Sequence, residues 1–338
     1  MKKDYLHIQD FSVEELKTLV ELVGVVKKAS KEIALPDLLH KRSVAMIFME
    51  ASTRTRISFE VAMTLLGGHG LYIKPGDIHL GKRETIGDTS RVISSMCDGI
   101  VIRGPHKDIV DMAKYSSVPV INAMSDVNHP AQVLCDVFTM YEKMGKTKGI
   151  NLAFIGDSSK GNVCRDLMLI SSKLGINFYL ASPRGYKVEE EFLKQVYKNA
   201  ELSGSKIVVT EEPKEVVAQA DFIDTDEWTW YGTKEDEIER TLKAFMPSYQ
   251  VNSELMKAAP THCKFMHCLP AKRGEEVTGE VIDSKQSIVF DEAENRLYTE
   301  EALLIAFIGR GMALSLIERE RRENKYAEEI GRIVQNLS

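Results

Sequence analysis

Short apolar runs of strand length alternate with helix-like segments along most of the chain. The runs are SVAMIFM (43–49), GIVIR (99–103), SVPVINA (117–123), INLAFIGD (150–157), NFYLASP (177–183), SKIVVT (205–210), ADFIDTD (220–226) and CKFMHCLP (263–270). Helical spacing follows the first run in SFEVAMTLLGG (58–68), which ends on a glycine stop. Strands that alternate with helices indicate an α/β fold built on parallel sheets.

The number of runs and the chain length indicate two domains. A chain of 338 residues is long for one core, and the polar stretch EKMGKTKG (142–149) separates the first three runs from the other five. We therefore predict a first domain of residues 1–146 and a second of residues 147–299, each a parallel sheet flanked by helices, around a cleft. Residues 300–338 are predicted to form C-terminal helices that pack back on the first domain and on a neighbour, and 326–337 has amphipathic spacing.

Composition excludes several classes of function. With 44 basic and 50 acidic side chains the net charge is −6, which is unfavourable for binding a phosphate backbone, so no nucleic acid partner is expected. No apolar stretch reaches the length of a membrane span and no signal-peptide pattern follows the first lysines, so we expect a cytoplasmic protein with no membrane contact. The five scattered cysteines are expected to be free thiols, and no metal is expected at the repeated His-Cys pairs of 262–268.

Polar residues cluster where the runs of the first domain stop. STRTR (52–56) follows the first run and precedes a helix, so its hydroxyls and arginines suit an anion near a helix N-terminus. The pentapeptide alone favours a helix cap with solvated charges over a binding site. Arg103 ends the second run, and His129 and Gln132 of HPAQ follow the third. Ligand sites of open α/β sheets lie outside the carboxyl ends of the strands, so together these residues predict a pocket for a small phosphorylated carbonyl compound.

These motifs, together with HCLP (267–270), resemble the carbamoyltransferases, which transfer a carbamoyl group from carbamoyl phosphate to an amine. The resemblance extends over nearly the whole chain and includes DIHLG (77–81), DTSRV (88–92) and FDEAENR (290–296). It implies that carbamoyl phosphate is bound by Ser52, Thr53, Arg54, Thr55, His79, Arg103, His129, Gln132 and Arg296. It further implies a homotrimer with shared active sites, in which His79 reaches the site of a neighbouring subunit.

The chemistry implied by the resemblance needs no cofactor. A neutral amine attacks the carbamoyl carbon, and hydrogen-bond donors stabilise the oxyanion that forms. The residues expected to take part in catalysis are Arg54, Arg103, His129 and Cys268. Of these, Cys268 is interpreted as a contact to the amine rather than as a nucleophile.

The amine is predicted from the second half of the chain, where HCLP resembles the ornithine and putrescine branch of the family. The resemblance assigns the amine to Asn162, Asp226, Trp230, Tyr231, Cys268 and Leu269. Ornithine enzymes carry a Ser-Met-Gly loop after the aspartate, whereas this chain has Trp230, Tyr231 and Gly232. Two large aromatic residues favour a plain alkyl ammonium over an amino acid. Their alternative role is ordinary burial near a hinge.

We therefore expect putrescine as the amine, which would place the reaction in agmatine and polyamine catabolism. Ornithine remains the alternative, since Asn162 is placed like the substrate-binding Asn of the ornithine enzymes, and a third amine stays open. A further alternative is a non-catalytic regulator that binds a small molecule on the same fold.

Overall fold

The computed structural model describes residues 4–32, 35–81, 83–229, 233–311, 313–314 and 325–337. The chain forms two compact units, one of Met1–Phe138 with Glu294–Ser338 and the other of Thr139–Ala293. Each unit contains one parallel sheet flanked by helices, which confirms the predicted α/β class. Both boundaries between the units fall inside helices, Pro130–Met144 and Val289–Phe307.

The first unit has a four-stranded sheet in the order β2-β1-β3-β4. Its strands are β1 (Ser43–Phe48), β2 (His69–Ile73), β3 (Gly99–Arg103) and β4 (Val120–Met124). The helices that lie wholly in this unit or begin there are α1 (Val13–Glu32), α2 (Arg54–Leu65), α3 (Ile86–Met96), α4 (His106–Tyr115) and α5 (Pro130–Met144), preceded by a short 3-10 helix at Ile8–Asp10. Buried side chains of β1, β3 and β4 pack against α4 through Ile109 and Met112. Burying one such side chain stabilises the fold by about 1.5–3 kcal/mol.

The second unit has a five-stranded sheet in the order β7-β6-β5-β8-β9. Its strands are β5 (Asn151–Ile155), β6 (Asn177–Ala181), β7 (Ile207–Thr210), β8 (Phe222–Thr225) and β9 (Lys264–His267). Its helices are α6 (Asn162–Leu174), α7 (Glu190–Ser203), α8 (Pro213–Val217), α9 (Glu235–Phe245), α10 (Ser253–Ala258) and α11 (Gly279–Ile282). One buried aromatic cluster closes the α9 side, where the rings of Trp228 and Phe245 stack with centroids 4.8 Å apart.

Two helices complete the chain, α12 (Val289–Phe307) and a C-terminal helix (Lys325–Gln335). The C-terminal helix contacts α1 of the same unit. Its apolar positions Ile330, Ile333 and Val334 are buried there, and Arg332 pairs with Glu21 at 3.3 Å. The amphipathic face predicted for 326–337 is thus covered, over the described residues, by the chain's own first helix.

The strand β2 was missed by the sequence analysis. It follows two glycines and pairs with β1 alone, and its residues are exposed or half-buried rather than continuously apolar. An edge strand of this kind carries no apolar run from which it could be recognised. Among the described residues no helix is both long and apolar enough to span a bilayer.

A buried carboxylate on α12 makes the stability of the first unit depend on pH. Glu301 is fully buried and accepts a hydrogen bond from the Ser30 hydroxyl at 2.9 Å. Burial raises its pKa from the usual value of 4.5 to about 7, only partly offset by the Ser30 hydrogen bond. The folded protein therefore holds this proton more tightly than the unfolded chain, and stability falls as the pH rises from about 4.5 through 7.

We predict that Glu301→Gln removes this pH dependence. The free energy of unfolding of the variant, relative to the parent protein, should rise by about 3 kcal/mol between pH 4.5 and pH 8.5, as measured by urea denaturation. Glu201→Gln, which changes an exposed carboxylate of α7, is the matched control. Its free energy of unfolding should differ from that of the parent by the same amount at both pH values. An equal difference for Glu301→Gln at the two pH values would contradict the prediction.

Candidate functional site

The parallel register of the first sheet brings three strand ends to one edge. Phe48 at the end of β1 pairs with Arg103 at the end of β3, and Arg103 in turn pairs with Met124 at the end of β4. The segments that follow β1 and β4 carry the STRTR and HPAQ motifs. The candidate residues come from three distant parts of the sequence, but they therefore follow neighbouring strand ends at one edge of the sheet.

The first of these segments leads directly into α2, which begins at Arg54. Thr53 precedes the helix, but its side chain makes no capping hydrogen bond, so the helix-cap interpretation of this hydroxyl is wrong. Thr55 is buried, Ser52 is half-buried and Thr53 is exposed. Unpaired N–H groups at a helix start favour an anion, and hydroxyls beside them add further donors.

Arg56, the second arginine of the motif, has other partners. Its guanidinium lies 3.6 Å from the ring centroid of Tyr72 on β2, and its Nε is 3.3 Å from a carboxylate oxygen of Glu60. A stacked and paired arginine of this kind supports the loop and the edge strand.

Buried amides support the segment that carries His129. The Asn122 side chain donates hydrogen bonds to the Asn128 side chain at 2.7 Å and to the Leu6 carbonyl at 3.0 Å. Asn128 also donates to the Leu6 carbonyl, at 2.9 Å, and the Ser125 hydroxyl donates to the Asn128 side chain at 2.6 Å. His129 follows this network directly and precedes α5, so its backbone is tied to both the sheet and the N-terminal segment.

His129 lies among three arginines. It is 5% exposed, and its pKa is held well below the usual 6.5, first by burial and then by the charges of Arg296, Arg103 and Arg54. The imidazole is therefore neutral near pH 7, with one N–H as a donor, and it does not act as a cation. Four predicted residues, His129, Arg54, Arg103 and Arg296, are thus near enough to interact electrostatically in a strongly positive environment.

Arg296 of α12 connects the predicted residues of two other elements. It is 2% exposed, its Nη1 donates to the side-chain oxygen of Gln132, and its Nη2 donates to the Thr55 hydroxyl at 3.3 Å. The Gln132 amide nitrogen donates to Asp136 at 2.8 Å. Arg103 is mostly buried, with its Nη2 3.7 Å from a carboxylate oxygen of Glu50. Since arginine stays charged, this part of the first unit favours anions.

The second unit has its own group of candidate residues at the ends of β8 and β9. Thr225 pairs with His267 in the parallel register, so Asp226 and Cys268 follow side by side. The Cys268 thiol donates to the Asp226 carboxylate at 3.2 Å. A carboxylate at this edge favours an ammonium group.

Asn162 and Leu269 belong to segments near this carboxylate. Asn162 is the first residue of α6. Two positions further, the pKa of buried Cys164 is raised first by burial and then by the charges of Asp157, Asp224 and Asp226. Leu269 adopts a left-handed backbone with φ of 57°, and its N–H donates to Nδ1 of His267 at 2.8 Å. The loop after β9 is thus held in an uncommon conformation by a buried side chain.

Three further predicted residues are Trp230, Tyr231 and His79. Trp230 and Tyr231 lie outside the described residues. His79 is exposed on the segment after β2. Its assignment stays a prediction.

One cluster of potential metal ligands is found in the described parts of the chain. Donor atoms of Asp226, His267 and Cys268 all lie within 4.8 Å of one another. Both ring nitrogens of His267 already have protein partners, because Nε2 lies 3.2 Å from the Glu276 carboxylate and Nδ1 accepts the Leu269 N–H. A metal ion would have to displace one of these partners.

Sequence reasoning missed two carboxylates near the candidate residues. Glu227 follows Asp226, and its pKa is raised to about 7, first by burial and then by the charge of Asp226. Glu300 lies one turn after Arg296 and pairs with it. The spacing of four residues in a helical pattern was the signal that could have identified Glu300, whereas nothing in the sequence indicates the burial of Glu227.

Two family models match the chain. Residues 3–142 match the carbamoyl-phosphate-binding domain of the aspartate/ornithine carbamoyltransferases, and residues 148–307 match their aspartate/ornithine-binding domain.

Curated proteins and solved structures that resemble the chain are also carbamoyltransferases. The chain is 46% identical over 317 residues to a putrescine carbamoyltransferase of Mycoplasma capricolum, which covers 90% of this chain and 86% of that protein. It is also 46% identical over 308 residues to an ornithine carbamoyltransferase of Pyrococcus horikoshii, covering 91% and 96%. The structure of an ornithine carbamoyltransferase from Pyrococcus furiosus superimposes with a TM-score of 0.87 at 45% identity, covering 90% of this chain and 97% of that one.

We predict that the titration midpoint of His129 in the folded protein lies well below the usual 6.5, because burial and three nearby arginines oppose its protonation. The measurement is the pH dependence of the imidazole NMR shifts, with the His129 resonance assigned by its absence in His129→Gln. The same histidine in the urea-unfolded chain is the control and should titrate near its ordinary value of about 6.5. A midpoint at or above that value in the folded protein would contradict the predicted electrostatics.

Proposed function

The chain belongs to the aspartate/ornithine carbamoyltransferase family, and on that premise we propose that it transfers the carbamoyl group between carbamoyl phosphate and putrescine. Carbamoyl transfer is the activity of the family. The identity of the amine is the proposal, since curated relatives that use putrescine and relatives that use ornithine are both 46% identical to the chain.

Carbamoyl phosphate, the donor of the carbamoyl group, is assigned to Arg54, Arg103 and Arg296 around His129 in the first unit. The phosphate would lie at the start of α2 with Ser52, Thr53, Arg54 and Thr55, and the carbonyl oxygen would meet Arg103 and neutral His129. A neutral donor and fixed guanidinium groups stabilise the oxyanion of the tetrahedral intermediate without transferring a proton to it. Phosphate then leaves with its charge already balanced by arginine.

The amine is assigned to Asp226 and its neighbours in the second unit. The observation that carries putrescine is the acidic pair of Asp226 and Glu227, followed in the sequence by Trp230 and Tyr231. Putrescine brings two ammonium groups and no carboxylate, so both of its ends are compatible with carboxylates and aromatic faces. Ornithine would bring an α-carboxylate toward two acidic side chains, which repel it.

The direct test is turnover of carbamoyl phosphate with putrescine and with ornithine, in which the ureido product is measured. We expect kcat/KM to be at least about 10-fold higher for putrescine, which is the range that one unfavourable contact supplies. Glu227→Gln keeps the shape of the side chain and removes its charge, so it should narrow this preference. Faster turnover of ornithine would overturn the diamine assignment, and no ureido product with any amine would overturn the enzyme itself.

We further propose a homotrimer with shared sites. An exposed apolar stripe on α2 supports contact with a second copy of the chain: Ile57 is 55% exposed, Val61 38% and Leu65 46%. The stripe belongs to the same helix that begins at Arg54, so an interface there would lie beside the donor site. His79 is the residue assigned to the neighbouring site.

Complementation between two inactive variants tests the shared site. Arg54→Ala and His79→Ala should each be inactive alone, whereas a refolded 1:1 mixture should recover about a quarter of the parent activity, because about one site in four combines both intact residues. Sedimentation should give three subunits. An absence of recovery in mixed trimers would contradict the sharing of sites.

A further inference from the structure

Helix α12 carries two oppositely charged residues one turn apart with almost no exposure. Arg296 is 2% exposed and Glu300 is fully buried. The Arg296 Nε donates to a Glu300 carboxylate oxygen at 3.1 Å, and Nη2 donates to the same oxygen. Removing two charges from water is costly, so a buried pair of this kind requires fixed geometry and further hydrogen bonds.

The remaining hydrogen bonds of Arg296 lead to the donor site. Nη1 donates to the Gln132 side-chain oxygen and Nη2 to the Thr55 hydroxyl. Because the Gln132 nitrogen donates to Asp136, both ends of that amide are fixed. The plane of the Arg296 guanidinium thus sets the orientation of two side chains that come from α2 and α5.

Glu300 is the group that fixes this plane. It binds Nε and one Nη2 hydrogen, so the guanidinium cannot rotate about its stem without breaking both contacts. Burial raises the pKa of Glu300, and the charge of Arg296 together with hydrogen bonds from Arg296 and Ser58 opposes that rise. The hydrogen bonds thus connect the Glu300 carboxylate to Arg296, and Arg296 in turn to Gln132 and Thr55.

We propose that Glu300 is a positioning residue for carbamoyl phosphate: it holds Arg296, and Arg296 orients Gln132 and Thr55 for the donor. This rests on the proposed assignment of the donor to the first unit and is independent of which amine is the acceptor. Glu300 touches neither substrate and acts only through Arg296.

The adjacent residue provides a matched control. Glu301 is equally buried on the same helix, but its carboxylate accepts a hydrogen bond from Ser30 of α1 rather than from Arg296. Glu300→Gln and Glu301→Gln therefore make the same chemical change at neighbouring buried positions. A general loss of packing would affect both variants, whereas loss of positioning affects only the first.

The test is steady-state kinetics of the full-length variants with carbamoyl phosphate and with whichever amine the parent protein uses best. Glu300→Gln should raise the KM for carbamoyl phosphate by about 10-fold or more and leave the KM for the amine within about twofold. Glu301→Gln should change neither. Calorimetric titration with inorganic phosphate should show the same loss of affinity in Glu300→Gln alone.

Glu300→Asp guards against a variant that fails to fold, because it keeps the charge and shortens the reach. Glu300→Asp should fold and show a KM for carbamoyl phosphate between those of the parent and Glu300→Gln. If Glu300→Gln is insoluble, Glu300→Asp should still show a raised KM for carbamoyl phosphate and an unchanged KM for the amine. An unchanged KM in Glu300→Asp and Glu300→Gln, or an equal rise in Glu301→Gln, would overturn the proposal. A parent protein that turns over ornithine rather than putrescine would overturn the amine assignment and leave this test intact.

Discussion

The parallel pairing of β1, β3 and β4 is the constraint on which the proposed donor site depends. Phe48, Arg103 and Met124 occupy matching positions at the ends of these strands. Parallel strands all point their carboxyl ends to one edge, so the segments that follow them meet there whatever their separation along the chain. The pairing of β3 with β4 shifts register between Ile102 and Arg103, so that Met124 lies opposite Arg103.

The second constraint is electrostatic. Arg54, Arg103 and Arg296 all act on the pKa of His129, and burial keeps its imidazole neutral. Several guanidinium groups in a buried region repel one another, and in the proposed function the anionic donor offsets that repulsion. Glu300 pairs with Arg296, and we propose that this leaves Arg54 and Arg103 to balance the charge of the donor.

The acceptor side follows a different physical principle. Asp226 and Glu227 lie together after β8, and burial together with mutual repulsion keeps the second of them near half-protonation at pH 7. In the proposed function an ammonium group of the amine would relieve that repulsion. Family membership determines the transferred group, while the residues around this pair determine the acceptor.

The sequence by itself determined the α/β class, the two-domain organisation and the donor motifs, because apolar runs, helical spacing and turn residues are local signals. Its eight apolar runs each overlap one strand of the two sheets, closely enough to place STRTR after β1 and Arg103 at the end of β3, with GIVIR matching β3 residue for residue. It missed the edge strand β2, whose residues have no apolar run. Only the tertiary structure decided that Arg296 bonds to Gln132, 164 residues earlier in the chain, and that Glu300 holds it. Burial and long-range contacts arise from packing in three dimensions, and no local pattern of residues contains them.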